Sequence, residues 1–436
     1  MTLFHEFWDN FVHNLFKPLL LFFYLGFSIP LLKVTFEFPY VIYQGLTIYL
    51  LLAIGWHGGE ELASLSTDSL RQALGFVAVG FCTNFCIGIV AYFILRRLVG
   101  LRKIDAATIA GYYGSDSAGT FVTCVGVLTA SSIAFAPYMP VMLAVMEIPG
   151  CLVALFLVSR LRRQGLDARG NTRDEPGFDA NGLGKSRVGH ELTSHVSNAE
   201  RPQKGAAASY GSGQIISGNF KSTENRASDD LSRAIEFEAE MSLEKIEHQP
   251  LSDHHVKGGM FNKELLHEVF LNPGIYLLFG GILIGFISRL QGAHVTDKDD
   301  LLFVKLFEGV LCLFLLEMGI TASRRLLDLK QAGWRFIVYG LVTPNIFATV
   351  GIFAAHAYAM ATGANLELGT YVLFAVLCGS ASYIAVPAVQ RLAIPEASPT
   401  LPLAASLGLT FSYNVTIGIP LYIMIAKLVT THFHIS

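Results

Sequence analysis

Two four-residue stretches, Gly114-Ser115-Asp116-Ser117 and Gly379-Ser380-Ala381-Ser382, carry the residue types best suited to holding ions, and they recur 265 positions apart. Each lies inside an otherwise apolar run long enough to cross a bilayer. Glycine and small polar residues weaken a helix there and free backbone groups at a depth where lipid offers no hydrogen bonds. Such a break survives only where it lines a cavity or is buried in protein. Paired breaks in corresponding positions of two halves are the sequence pointer to a transporter's central site. The half-helix after each break presents free N–H groups and a positive dipole end to an anion. Hydroxyls and carbonyls at the same places suit Na⁺, a hard cation, so the pattern favours a small anion coupled to a cation.

Asp116 sits within the first break. A carboxylate near the bilayer midplane is costly unless paired, hydrated or protonated, which makes it the leading cation- or proton-carrying candidate. The expected anion site comprises Gly114, Ser115, Ser117, Thr120, Gly379, Ser380 and Ser382. The expected Na⁺ site comprises Asp116, Ser117, Ser382 and Asn414, the last placed shortly before Pro420 in the final apolar run. Glu147 before Pro149, Glu317 beside Gly319, and Tyr383 are cavity-lining candidates. The ordinary alternative for each serine is packing or bonding back to its own turn. Asn84, Asn345 and His356 read as structural polar contacts, and His57 as solvated surface.

The elements that must position these residues follow from hydropathy. Of 436 residues, 52% are hydrophobic and 15% charged, against about 25% charged in soluble domains, and the mean hydropathy is +0.49. The net charge of −3 argues against a nucleic-acid partner. Apolar runs of roughly 20 residues give ten expected transmembrane segments, near 14–33, 39–58, 72–96, 105–128, 138–160, 267–289, 301–321, 333–360, 367–392 and 402–428. The chain therefore divides into a first membrane repeat, 1–160, a largely disordered linker, 161–264, and a second repeat, 265–436. Within the linker, Asp229 to Glu247 has the spacing of one amphipathic helix.

Basic residues cluster in alternate connections: Arg96, Arg97, Arg102 and Lys103; Arg160, Arg162 and Arg163; Arg324, Arg325, Lys330 and Arg335; and Arg391. The positive-inside bias makes these connections and the linker cytoplasmic and puts both termini outside. The localisation expected is the cytoplasmic (inner) membrane, as a multi-pass protein. The halves match further. Pro18 and Gly26 answer Pro273 and Gly281, Gly55 answers Gly319, and Ile148-Pro149 answers Ile419-Pro420. With five crossings each, the copies must be inverted, so the fold expected is all-α, with two inverted five-helix repeats. No Walker-type, Gly-x-Ser-x-Gly or His-Glu-x-x-His motif is present, so neither ATP-driven transport nor an enzyme is expected. The six cysteines fall in apolar runs and read as small packing residues.

Several stretches resemble the cyanobacterial sodium-dependent bicarbonate transporters, the SbtA-type family. They are Leu101 to Ala106 leading into Tyr113 to Thr120, then Met146-Glu147-Ile148-Pro149, Met318-Gly319-Ile320, Arg391 to Pro399, and Gly408 to Pro420. The resemblance implies core and gate domains, broken fourth and ninth helices crossing at the centre, and Na⁺-coupled bicarbonate uptake. It also implies a homotrimer and a PII-like regulatory protein docking from the cytoplasm. The chain departs from the family in having Tyr383 where the second break carries an acid, Asp116 where the first is apolar, and Val386-Pro387-Ala388 for Gly-Pro-Pro. Either the charge has crossed to the other break and kept a cation site, or substrate or coupling ion has changed. The reading is a Na⁺-coupled symporter for bicarbonate or a similar small anion. Its rivals are the same fold moving another small carboxylate with Na⁺ or H⁺, and a membrane anion sensor that transports nothing.

Overall fold

The structure, a computed structural model, describes residues 16–36, 38–167, 169–179, 273–328, 333–383, 386–387, 390, 393–398 and 400–433. Among them the secondary structure is helical, with one isolated antiparallel bridge, Leu166 to Thr172. The helices are α1 (Pro18–Leu31), α2 (Tyr40–Leu62), α3 (Thr67–Ile94), α4 (Lys103–Tyr113), α5 (Ala118–Ala130), α6 (Met139–Met146) and α7 (Ile148–Gln164). After residue 272 come α8 (Pro273–Gln291), α9 (Ala293–Asp300), α10 (Phe307–Asp328), α11 (Trp334–Thr362) and α12 (Leu368–Gly379). The last, α13, runs Leu401–His432.

Local chemistry sets their ends. Proline stands in the first turn of α1, α6, α7 and α13, where its missing N–H costs nothing. The Ser66 hydroxyl caps α3 by accepting the Ser69 N–H at 3.2 Å. Gly363, at φ 67°, closes α11 in the left-handed conformation that glycine adopts without penalty.

Among the described residues, six helical stretches are long and apolar enough to cross a membrane: Tyr40–Leu62, Ser69–Val99, Met139–Gln164, Pro273–Gln291, Trp334–Thr362 and Leu401–His432. Four of the ten expected segments do not meet that measure, each for a local reason. α1 has only 14 residues. The 105–128 segment is split into α4 and α5, and the 367–392 segment holds an α12 that stops at Gly379. α10 carries Glu308, Glu317, Arg324, Arg325 and Asp328. Leu25, Val41, Leu74, Leu283, Leu290, Val338 and Val350 stand exposed on the helix surfaces. An apolar exterior of this extent marks a lipid-facing protein.

Helices pack most closely where glycine lets backbones touch. α10 lies along α1, and α8 along α2. A Cβ on Gly26 would stand 1.9 Å from the Leu316 carbonyl oxygen, and one on Gly319 would stand 2.2 Å from that of Phe23. In the other pair, a Cβ on Gly55 would meet the Leu278 carbonyl oxygen at 2.5 Å, and one on Gly281 that of Leu52 at 2.8 Å. Neither backbone can yield alone, so Gly26→Val is expected to lower stability by at least the ~1–3 kcal/mol typical of overpacking. A thermal melt in detergent reads the loss; an unchanged melting temperature would mean that α1 and α10 re-space freely.

The described start of the expected linker is not disordered. α7 continues to Gln164, and 165–179 forms a hydrogen-bonded loop in which Asp167 accepts N–H bonds from Arg169, Asn171 and Asp179 at 2.9, 2.8 and 3.0 Å. The expected helix from Asp229 to Glu247, Lys330 and Arg391 lie outside the described residues.

Candidate functional site

The first break begins where three backbones meet. A Cβ on Gly114 would lie 2.8 Å from the Cα of Gly88 in α3 and 3.2 Å from that of Gly150 in α7. A Cβ on Gly150 would come within 2.0 Å of the Gly111 carbonyl oxygen and 2.6 Å of the Ser115 nitrogen. This packing leaves no room for the chain to wander as it leaves α4. Ser117 then turns extended, with φ −134°, and caps α5: its Oγ accepts the Thr120 N–H at 3.2 Å and the Thr120 hydroxyl at 2.9 Å.

The second break is built alike. α12 stops at Gly379, and the backbone runs extended from Ser380. Val386 is helical, and its N–H donates to Ser382 Oγ at 3.4 Å. Ser117 and Ser382 thus cap corresponding half-helices. Asn414 pins the break from α13: its Nδ2 donates to the Gly379 carbonyl at 2.9 Å, and its Oδ1 accepts the Tyr422 hydroxyl at 2.6 Å. Asn414 opens a π-helical turn within α13, which also has π geometry over Ala404–Phe411. Such turns recur at functional sites, where they re-aim side chains.

The two breaks touch. The Ser382 N–H donates to the Tyr112 carbonyl at 2.9 Å. Glu147, at the joint of α6 and α7, meets both breaks: the Ser115 hydroxyl donates to its carbonyl, and the Ser382 hydroxyl donates to Oε1 at 3.4 Å. Asp116 is 0% exposed, and neither carboxyl oxygen has a hydrogen-bond partner among the described residues. Tyr383 lays its hydroxyl against the start of α5, 1.8 Å from where a Cβ on Gly119 would sit, and its ring meets Phe411 edge-on at 5.3 Å. Among the described residues, no three His, Cys, Asp or Glu side chains converge as for a transition metal. The donors gathered here are oxygens, which suit a hard cation.

Gly114, Ser115, Asp116, Ser117, Thr120, Glu147, Gly379, Ser382, Tyr383 and Asn414 therefore come together. Ser380 is buried beside them, but its hydroxyl turns back to the Leu377 carbonyl at 3.5 Å. Glu317 is held within α10, where the Thr321 hydroxyl donates to Oε1 at 2.8 Å. The residues that sequence reasoning passed over are Gly88, Gly111 and Gly150. Their only signal was glycine in three successive apolar runs.

Gly119→Ala is expected to push the Tyr383 ring from its seat and lower transport several-fold in folded protein. Adding Tyr383→Phe, which removes the colliding oxygen, should restore much of the loss. A double variant no better than the single one would place the defect elsewhere.

At the far end of α4, charged groups fasten the helix to the 165–179 loop. Lys103 Nζ pairs with Asp174 at 2.6 Å, Glu175 accepts the Lys103 backbone N–H at 2.6 Å, and Arg102 pairs with Asp105 at 2.7 Å. Hydrogen bonds from the Lys103 ammonium and the Thr172 hydroxyl hold the Asp174 carboxyl down to about 2. A depressed acid is fully paired above its ordinary value of about 3.9, so this fastening persists at neutral pH and is lost as pH falls through about 2. Carboxyl NMR of Asp174 checks it; a midpoint near 4 would mean that the pair does not form.

A search of curated proteins returns no match. The profile of the Na⁺-dependent bicarbonate transporter superfamily matches residues 18–427, nearly the whole sequence and both breaks. The chain belongs to the Na⁺-dependent bicarbonate transporter superfamily.

Proposed function

We propose that this membrane protein is a secondary transporter that couples Na⁺ entry to uptake of bicarbonate or a similar small anion. The observation that carries the reading is the contact between the two breaks beside a buried carboxylate that has no hydrogen-bond partner among the described residues. Gly114, Ser115, Ser117, Thr120, Gly379, Ser380 and Ser382 hold the anion through N–H and hydroxyl groups. Asp116, with oxygens of Ser117, Ser382 and Asn414, holds Na⁺, while Glu147 and Tyr383 line the cavity. Na⁺ offsets the Asp116 charge, so the anion meets the positive half-helix ends only when the cation is present. The protein contributes placement and electrostatics and makes no covalent change, as befits a carrier and not an enzyme.

The same reading takes the chain as ten transmembrane helices in two inverted repeats, 1–160 and 265–436, joined by a cytoplasmic linker at 161–264. The glycine contacts support it. Gly26 meets Leu316 and Ile320, while its counterpart Gly281 meets Leu52 and Gly55, one residue from the counterpart of Ile320. Gly55 meets Leu278 and Ile282, and its counterpart Gly319 meets Phe23 and Phe27. Exchanging the halves carries one set of contacts onto the other. Alternate basic connections place both termini outside the cytoplasmic membrane. A homotrimer and a PII-like regulator docking on the cytoplasmic side complete the proposal by family resemblance.

The test is labelled bicarbonate uptake into proteoliposomes under an inward Na⁺ gradient, with choline as control at fixed pH. Na⁺-dependent accumulation is expected. Uptake of a competing small carboxylate in its place would transfer the site to that substrate, and binding without flux would make the protein an anion sensor.

A further inference from the structure

A lipid-facing groove stands apart from the crossing. It lies between α3 and α11, encloses about 530 Å³, and is walled by Cys82, Cys86 and Val90 of α3 and by Ile346, Phe347 and Val350 of α11. Val90, Ile346 and Val350 are about half exposed, so the groove opens sideways towards the bilayer. The Thr83 hydroxyl in its wall donates back to the Val79 carbonyl at 2.8 Å and is spent within its own turn. The volume falls within the roughly 300–1,000 Å³ of small-molecule sites. Apolar walls that face hydrocarbon suit an acyl chain.

The register of the two helices places a headgroup for that chain. The Tyr358 hydroxyl donates to the Gln72 carbonyl at 2.6 Å, tying the end of α11 to the start of α3. From that bond the helices run antiparallel, and α11 still packs on the Leu95–Val99 turn that follows α3. At about 1.5 Å per residue, Arg97 and Arg335 both lie roughly 35 Å from the bond, just beyond a hydrocarbon core of about 30 Å. They therefore share one edge of the membrane. Arg97 stands over the Phe93 ring at 5.8 Å, and Arg335 over the Trp334 ring at 5.9 Å. Both arginines are exposed, and neither forms an ion pair with an acid among the described residues. Val90, at the near end of the groove, is about 10 Å along the helix from Arg97.

We infer that this groove and the Arg97–Arg335 pair bind one anionic phospholipid, its acyl chain in the groove and its phosphate held by the two guanidiniums. Each basic side chain at the membrane surface strengthens attraction to anionic lipid by on the order of fivefold. The same two charges oppose the docking of a second copy through this face, which would bring like charges together. Occupancy reaches the crossing through the backbone. Gly88, between Cys86 and Val90, backs the first break: its Cβ would lie 3.2 Å from the Gly114 Cα. Ala348, beside Phe347, backs the second, 2.9 Å from where a Cβ on Gly379 would sit. A chain seated between α3 and α11 thus sets the spacing of the helices that support the two breaks. The binding is independent of the transported anion; its assignment to the cytoplasmic leaflet rests on the topology proposed above.

The experiment is native mass spectrometry of the purified full-length chain from micelles holding phosphatidylglycerol or phosphatidylcholine with the same acyl chains. Wild type is expected to retain one phosphatidylglycerol per chain and to shed phosphatidylcholine. The Arg97→Gln, Arg335→Gln double variant should weaken retention by on the order of thirtyfold, and Cys86→Trp, which fills the groove, should abolish it with both arginines intact. N-ethylmaleimide supplies a second readout on wild type, because Cys82 and Cys86 are exposed while Cys124, Cys151 and Cys378 are buried. Phosphatidylglycerol should slow labelling of the exposed pair several-fold, and phosphatidylcholine should not. Equal retention of the two lipids, or labelling indifferent to phosphatidylglycerol, overturns the inference. So does cross-linking of Cys82 between two chains that added phosphatidylglycerol does not suppress. Bicarbonate uptake should run several-fold faster in vesicles containing phosphatidylglycerol, an advantage lost in the double variant. Lipid binding without uptake in any vesicle would count against the transport reading and leave the lipid site standing. If Cys86→Trp fails to fold, the arginine variants and the labelling still decide.

Discussion

Asp116→Asn is expected to reduce Na⁺-driven bicarbonate accumulation at least a hundredfold while leaving the protein folded and inserted. The substitution keeps side-chain shape and removes the charge, so packing around a fully buried position is preserved. Neither carboxyl oxygen has a hydrogen-bond partner among the described residues, so no hydrogen bond to them is broken. Stability in Na⁺-free detergent should equal or exceed that of wild type, because an unpartnered buried charge opposes folding. The ligand response should fall in parallel. A bound ion raises stability by about 2.7 kcal/mol at a hundred times its dissociation constant, so wild type should show a clear Na⁺-dependent rise in melting temperature, and the variant a much smaller one. Low uptake with an intact Na⁺-dependent melt would assign Asp116 to the anion or to the conformational cycle. Wild-type uptake with full Na⁺ dependence would falsify its role altogether.

Gly150→Ala is expected to cost more than any other single methyl in the molecule's interior site. Its Cβ would press on the Gly111 carbonyl oxygen at 2.0 Å and on the Ser115 nitrogen and hydroxyl at 2.6 Å. Two of those three atoms are backbone, with no rotamer to give way. Either α7 moves off α4, or the first break is displaced with Ser115 and Asp116. The stability loss should be about 1–3 kcal/mol, as for overpacked cores. Uptake should drop more than tenfold, because the Ser115 hydroxyl loses its place on the Glu147 carbonyl and the two carboxylates change separation. A thermal melt and an uptake assay on the same preparation separate the effects. Normal uptake at normal stability would show that the α3–α4–α7 contact has slack.

Much of the site was legible in local sequence. Ser117 and Ser382 stand three positions after a glycine that ends a helix, and in the structure each receives a backbone N–H from the half-helix that follows. Asp116 announced itself by cost alone. Asn414, a cation-site candidate by sequence, also clamps the Gly379 carbonyl and the Tyr422 hydroxyl, a bonding choice the sequence did not carry. Ser380 and Glu317 resemble the other candidates in type and depth, yet their bonds close within α12 and α10. Which way a side chain points on a helix depends on what that helix packs against.

The sequence by itself determined that the chain is a membrane protein and that each half is interrupted at a Gly-Ser-x-Ser stretch. It also determined that a carboxylate lies where lipid would not tolerate it. Each of these follows from composition within a window of about 20 residues, because burial cost and helix propensity are properties of short segments. Tertiary structure alone decided that the breaks touch through Ser382 and Tyr112, that Glu147 joins them, and that Gly88, Gly114 and Gly150 set the distance between three backbones. Those contacts span tens to hundreds of residues of chain. They depend on close packing between helices that hydropathy treats as interchangeable, and only the folded arrangement selects among them.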